Sequence, residues 1–367
     1  MPITRPSMLL LLSVFGILSI LFVLEACAEG PKQSVDVWSW TKHGPPVIKP
    51  GFSGEHDQAF ARAGHVVEMG DGTYRMYYVG RSVKGQQSIC MATAAVDQPT
   101  RWTPWPGNPV FVVNDPVPFD RMAVDWPCVV RVTENVWHMY YVGRGPTIRK
   151  GRRALRTGLA ISQDRGLTWR RHGNAPILPL GGDEQWDAHW TASMFVLKGK
   201  DKWRMWYAGS RYAEKPDERP GEIIQIGLAF SEDGLDWNRY SNNPVLRPRR
   251  DQAQPFEQLV TKPNVVVENG LYRMWFMTGP PTRIGYAESR DGVHWDRWND
   301  RVGINVSSEG WDSQMVEYAF VLPHRGDGIA SKHSVPRKRS RNLLRNNTAR
   351  ICAGTKTLTR ELVQRPC

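Results

Sequence analysis

Five carboxylates stand at matching places along the 367-residue chain: Asp57, Asp120, Asp187, Glu257 and Asp312. Each directly follows an aromatic or a histidine: His56, Phe119, Trp186, Phe256 and Trp311. Five residues beyond the acids the side chains diverge, to Arg62, Asp125, Ala192, Lys262 and Glu317. Two carboxyl groups facing one bond can cleave an acetal. One protonates the leaving oxygen and the other activates water or attacks directly, if their surroundings push their pKa values apart. A feature repeated five times is more simply explained by the repeat than by catalysis, so the first ring has a structural reading, as caps for backbone NH groups or partners of channel cations. Chemistry should break symmetry, and the second ring does. Asp125 and Glu317 form its acid–base pair. Arg62 and Lys262 could lower a neighbouring carboxylate or hold an anionic group. The bland reading of this second ring is a mutually neutralising polar channel.

Repeated elements must position these residues. Tyr74-Arg75-Met76-Tyr77-Tyr78-Val79-Gly80 recurs from Trp137, from Trp203 and, with one extra residue, from Tyr272. Each copy is rich in aromatic and β-branched residues and ends at or near Gly, which reads as a strand. A second strand follows, as in Gly158-Leu159-Ala160-Ile161-Ser162, then a turn and a Trp, as in Asp233-Gly234-Leu235-Asp236-Trp237. Asp-Gly favours a tight turn because Gly accepts positive φ. An outer strand comes next. Nine residues after each acid lies a further apolar strand, at Val66, Val129, Val196, Val266 and Val321. Four strands per unit of about 65 residues, five times over, predict an all-β, five-bladed β-propeller. The Trp38-Ser39-Trp40 segment is expected to close the ring as the outer strand of the last blade. The fifth blade is expected to be incomplete, because nothing after Leu322 repeats the Tyr/Trp-rich strand.

The two ends differ from the middle. Arg5, an apolar run over residues 8–24 and small residues at Ala26 and Ala28 suit a cleaved export signal over residues 1–30. Leu24-Glu25-Ala26-Cys27 resembles a lipobox, with Glu25 departing from it, so the alternatives are a secreted or periplasmic protein and a membrane-anchored lipoprotein lipidated on Cys27. The propeller is assigned to residues 31–323. Residues 324–367 carry eleven Lys or Arg against two acids and no aromatic residue, so most of the net charge of +12 sits in this basic, poorly ordered tail. A basic stripe interleaved with aromatics is absent, which argues against nucleic acid. The membrane would be touched only through the N-terminal segment. A monomer is expected.

This pattern resembles the five-bladed β-propeller glycosidases: invertase-like, arabinanase- and xylosidase-like enzymes and mannoside phosphorylases. The resemblance covers about residues 38–323 and rests on the five repeats, the Ser-x-Asp-Gly-x-x-Trp turns at residues 231–237 and 289–295, and the acids. Residues 162–169 also match the Asp-box of sialidases, a folding element. The invertase-type Asn-Asp-Pro-Asn-Gly and Arg-Asp-Pro signatures are absent. The resemblance implies an oligo- or polysaccharide substrate and chemistry from acids of three early blades, which carries over to Asp57, Asp120 or Asp125, and Asp187. Asp57, Asp125, Asp187 and Glu317 are therefore the catalytic candidates. Arg62, Asp120, Trp126, His189, Trp190, Glu257, Lys262 and Tyr318 are candidates for substrate binding, with Trp126, Trp190 and Tyr318 placed to stack on a sugar face. His189 reads as a hydrogen-bonding residue, since no second metal ligand lies close to it. No cofactor or metal is expected beyond a structural cation in the channel. Trp137, Trp203 and Tyr272 read as blade core, His65 and His138 as blade residues, and Cys90 and Cys128 as small buried hydrophobes. The expected function is hydrolysis of a glycosidic bond. The rivals are a non-catalytic carbohydrate-binding propeller and a phosphorylase using Arg62 and Lys262 to hold phosphate.

Overall fold

The computed structural model describes residues 40, 42–43, 45–113, 119–149, 152–213, 221–250 and 257–323, and the backbone of 349–351. The segment expected to be an export signal and nearly all of the basic tail lie outside the described residues. Blade one is an antiparallel sheet of β1 (Phe60–Glu68), β2 (Thr73–Arg81), β3 (Gln87–Ala95) and β4 (Thr103–Pro104). Blade two has β5 (Ala123–Arg131), β6 (Trp137–Arg149), β7 (Arg152–Ser162) and β8 (Arg170–Arg171). Blade three has β9 (Trp190–Lys198), β10 (Trp203–Tyr212), β11 (Glu222–Ser231) and β12 (Asn238–Arg239). Blade four has β13 (Leu259–Glu268), β14 (Leu271–Gly279), β15 (Arg283–Ser289) and β16 (Asp296–Arg297). In the fifth position β17 (Val321–Pro323) pairs with β18 (Ala349–Ile351). The described residues contain no α-helix. Short parallel pairings join neighbouring blades, Leu155 and Arg156 to Trp190 and Thr191, and Ile224 to Leu259.

The repeated Tyr/Trp-rich strands are β2, β6, β10 and β14, the second strand of each blade. Their aromatics bury almost completely: Tyr77, Tyr78, Trp137, Tyr140, Trp206 and Trp275 are under 2% exposed. Each such ring removes about 150–250 Å² from water, and together they fill the spaces between blades. Tyr77, Tyr140 and Trp206 also donate across to the next blade's turn, to the carbonyls of Gly166, Gly234 and Gly292. Those turns hold themselves together. Asp164, Asp233 and Asp291 accept backbone amides and a Ser hydroxyl, from Ser162, Ser231 and Ser289. Trp137 and Trp203 are core residues, and Cys90 and Cys128 are buried free thiols.

The inner strands converge on one axis. His65 of blade one lies 4.7 Å from the ring of Phe320 in the fifth position and 5.9 Å from Phe195 of blade three. The Val196 amide donates to Cys128 Sγ of blade two, and the Val321 amide donates to Asn264 Oδ1 of blade four. Five blades thus meet in a plug beneath the polar ring described below. Burial alone pushes the His65 imidazole down to about 3. Above pH 6.5 both folded and unfolded chains carry it neutral. Below 6.5 only the unfolded chain takes up the proton, until the pH nears 3. His65→Phe should therefore gain stability over the wild type by about 1.4 kcal/mol per pH unit as acid is added across this window. Melting curves from pH 7 to 4 check this, and a pH-independent difference would contradict it.

Candidate active site

Two rings of side chains surround the axis, and the structure separates them. The first ring is the recurrent acids. They lie in the turns before the inner strands, Asp57 at the end of a 3-10 turn (Gly54–Asp57), rather than on the strands. Their carboxyl groups reach into their own blades. Asp120 accepts from Tyr141 Oη at 2.8 Å and Arg171 Nε at 2.7 Å. Asp187 accepts from Tyr207 Oη at 3.0 Å and Arg239 Nε at 2.8 Å. Glu257 takes a two-pronged contact from Arg297 at 2.8 and 2.6 Å. Asp312 pairs with Lys42 at 2.7 Å. Arg171, Arg239 and Arg297 all sit on the outermost strand, so Asp120, Asp187 and Glu257 each clasp the rim of their blade to the start of its inner strand.

The Gly closing each repeat belongs to this clasp. A Cβ on Gly143 would come within 2.6 Å of Asp120 Cβ, and one on Gly209 within 2.5 Å of Asp187 Cβ. In blade four Thr278 stands at that rung, opposite Val260, and the acid is the longer Glu257. Burial alone would raise the Glu257 carboxyl, but Arg297 and the Arg249 amide hold it below its usual range. Lys42 and Ser307 do the same for Asp312 against its burial. Lys42 is two residues past Trp40, whose indole NH donates to the Val302 carbonyl at 2.6 Å. The N-terminal segment thus supplies the fifth position with the cation that an outer strand supplies elsewhere. Blade one is the exception. Pro104 occupies the rung of the rim arginine, and Asp57 is held by the Ser53 and Gly51 amides and Tyr78 Oη instead. Burial outweighs these bonds and raises its carboxyl.

The second ring lies on the inner strands, at a register irregularity that recurs after Arg62, Asp125 and Thr261 and within β9. Just beyond it Trp126, Ser193, Lys262 and Tyr318 take φ of 44°, 52°, 54° and 57°. Bulky residues rarely occupy this left-handed region, and each costs on the order of 1–3 kcal/mol. A bulge of this kind re-aims a side chain. Here it lets consecutive residues, Asp125 with Trp126 and Glu317 with Tyr318, both face the axis. The structural register also differs from the sequence spacing in blade four. Thr261, not Lys262, matches Asp125, and Lys262 matches Trp126.

Arg62, Asp125, Trp126, Lys262, Glu317 and Tyr318 come together as one cluster, joined by Ser193. Arg62 forms an ion pair with Asp125, donates to Tyr318 Oη at 3.2 Å and lies over the rings of Trp126 and Tyr318 at 5.3 and 4.8 Å. Lys262 donates to Ser193 Oγ at 3.0 Å and lies over Trp126. Burial opposes the Arg62 charge, but Asp125, Tyr318 and Glu317 more than restore it. Burial, then repulsion from Arg62, pushes the Lys262 ammonium well below its usual value, against the pull of Asp125 and Glu317. Burial pushes the Tyr318 hydroxyl up to about 12. Two carboxylates from blade two and the fifth position therefore act on the same two cations. Arg62 Nε and Trp126 Nε1 are buried donors with no acceptor among the described residues. Among the described residues no group of three His, Cys, Asp or Glu could hold a metal ion.

His189 and Trp190 stand higher, at the start of β9, with His189 4.7 Å from the Tyr212 ring. They stand three and two positions ahead of Ala192, before the bulge that carries the cluster. Ser193 and Thr261 were not foreseen as site residues. Ser193 could have been found, since Ala192-Ser193 stand where Asp125-Trp126 stand. A separate depression of about 230 Å³, walled by Glu257, Arg283 and Val302 among others, shares no residue with the cluster.

The described fold is similar to solved glycosidase-type propellers. A BT0996 RGII complex matches with TM-score 0.60 and 19% identity, covering 76% of this chain and 84% of that one. The family 117 glycoside hydrolase Zg3597 of Zobellia galactanivorans matches at 0.55 and 13%, covering 80% and 87%. A structure from work on the GH130 family of mannoside phosphorylases and glycoside hydrolases matches at 0.55 and 14%, covering 79% and 89%. At such identities the likeness establishes the five-bladed fold. No family profile matches the chain. Two curated Mycobacterium tuberculosis proteins are similar in sequence, the uncharacterised Rv1502 of strain H37Rv and MT1551 of strain CDC 1551. Each is 30% identical over 255 residues, which cover 69% of this chain and 81% of the relative. With that identity and coverage, the chain belongs to the same protein family as Rv1502.

Proposed function

We propose that the protein is an exported carbohydrate-active enzyme that hydrolyses a glycosidic bond in the central channel of its propeller. The observation that carries this reading is the convergence of Asp125 and Glu317 on the Arg62–Lys262 pair between the rings of Trp126 and Tyr318. The ion pair with Arg62 suits Asp125 to work as a carboxylate, the form needed for a base or nucleophile. Glu317 is the second carboxyl group of the acid–base pair. Trp126 and Tyr318 offer aromatic faces to the apolar side of a sugar ring. Sugar oxygens would satisfy the buried donors Arg62 Nε and Trp126 Nε1. The solved propellers described as glycoside hydrolases and phosphorylases support the same chemistry by analogy of fold.

Export rests on the leader over residues 1–30, whose removal would be read by N-terminal sequencing of the mature chain. The activity is tested with a panel of oligosaccharides and aryl glycosides, following both binding and product release, with and without phosphate. Release of reducing sugar that needs no phosphate is the expected result. Turnover that stops without phosphate would replace hydrolysis by phosphorolysis. Binding without any product would leave a carbohydrate-binding propeller.

A further inference from the structure

Above the catalytic ring the channel mouth is electrically lopsided. The rung that pairs with the first residue of each inner strand holds Arg81 in blade one, Arg144 in blade two, Ser210 in blade three and Gly279 in blade four. Arginines therefore occupy this rung in the neighbouring blades one and two, and neither blade three nor blade four has a cation there. The hairpin of blade two continues the trend. Arg144, Arg149, Lys150, Arg152, Arg153 and Arg156 occur with no acid between them. β6 and β7 extend to Arg149 and Arg152, so this hairpin is longer than that of blade one or blade four. The corresponding hairpin of blade three is acidic in balance, with Glu214, Asp217, Glu218 and Glu222 against Arg211, Lys215 and Arg219.

Of the described basic side chains, Arg144 acts on Lys262 of the cluster and Arg153 lies against the residue before β5. The Met122 amide, one residue before β5, donates to the Arg144 carbonyl at 2.9 Å, and Arg153 Nη1 reaches Met122 Sδ at 3.1 Å. Arg144 opposes Ala123, two residues before Asp125 on the same strand. Among the described residues no carboxylate pairs with Arg144 or Arg153. Arg156 is half-buried opposite Thr191 of blade three, and burial lowers its guanidinium. Arg144 adds to the repulsion felt by Lys262, which places its charge within reach of the channel floor. Deeper down the charges are already balanced, since Arg62 is bound to Asp125. Positive charge left over at the mouth faces whatever enters.

We infer that the saccharide taken by this site is anionic, with a carboxylate, sulfate or phosphate on the unit flanking the cleaved bond, received by Arg144 and Arg153 on the blade-two side of the mouth. This inference rests on the saccharide reading above and adds the substrate's charge to it. One negative group close to two or three partly hydrated cations gains on the order of tenfold in affinity, and the gain shrinks as salt screens it.

The test uses the full-length mature protein and matched probes in calorimetric titrations at low and high salt. They are oligogalacturonide against its methyl ester, chondroitin sulfate hexasaccharide against its desulfated form, and mannose 6-phosphate disaccharide against mannobiose. At least one charged probe should bind about tenfold tighter than its neutral or less charged partner, and the pair that shows this identifies the group. The double variant Arg144→Gln with Arg153→Gln should shrink that ratio towards one at an unchanged melting temperature. Arg283→Gln, on blade four, should keep the ratio. Equal binding of charged and matched probes would overturn the inference and leave the glycosidase reading standing. A ratio unaffected by the double variant would also overturn it. A DNA duplex bound as tightly as the charged probe would show a general polyanion surface and overturn it too. Failure of every saccharide to bind would defeat the parent reading itself.

Discussion

Replacing Asp125 by Asn is expected to cut glycoside turnover by about 10²-fold or more, the usual cost of losing a positioned acid–base group. Asn keeps the shape of the side chain. Its amide oxygen can still accept from Arg62 and from the Trp126 amide, the two bonds that place Asp125. It loses the negative charge that a base or nucleophile needs. Some stability goes with it, because Arg62 loses the charge of its ion-pair partner. Turnover must therefore be measured below the melting transition of the variant and normalised to folded protein. An unchanged rate would remove Asp125 from the mechanism.

Asp187→Ala should behave in the opposite way. Its carboxyl is buried and clasps Tyr207 and Arg239. Removing one partner of a buried pair strands the other, at a cost of about 3–5 kcal/mol. Turnover per folded molecule should change little, because the clasp lies in the blade rather than in the channel cluster. Asp57→Ala strands no cation, since Pro104 stands where the rim arginine would be. Its cost should be smaller, about 1–3 kcal/mol from unmade hydrogen bonds. Denaturant midpoints give the order. Equal losses, or a collapse of turnover in Asp187→Ala under folded conditions, would contradict the separation of the two rings.

The propeller was legible because its signals are local and repeated. A strand such as residues 74–80 must bury aromatics on both of its faces and end where Gly admits the acid-bearing turn. Repetition alone exposes that. The role of the recurrent acids was half legible. Their fivefold recurrence pointed to structure, but the resemblance placed Asp57 and Asp187 at the catalytic centre. A missed signal would have decided it: Trp169, Trp237 and Trp295 are each followed two positions later by Arg171, Arg239 and Arg297, and Trp40 by Lys42. Each cation is the long-range partner of one acid. Lys262 was displaced by one rung because blade four replaces Asp and Gly by Glu257 and Thr278, which shifts the spacing between acid and bulge. The left-handed residues could not be read at all, since Trp126 and Tyr318 have no intrinsic preference for positive φ.

The most direct test of the two-ring account is a crystal structure of the Asp125→Asn variant with an uncleaved oligosaccharide bound. The expected result is a sugar ring against Trp126 or Tyr318, with a glycosidic oxygen between residue 125 and Glu317 and those two side chains about 5 to 9.5 Å apart. A saccharide bound beside Asp57, Asp120 or Asp187 instead, or residue 125 and Glu317 too far apart to share one bond, would contradict it.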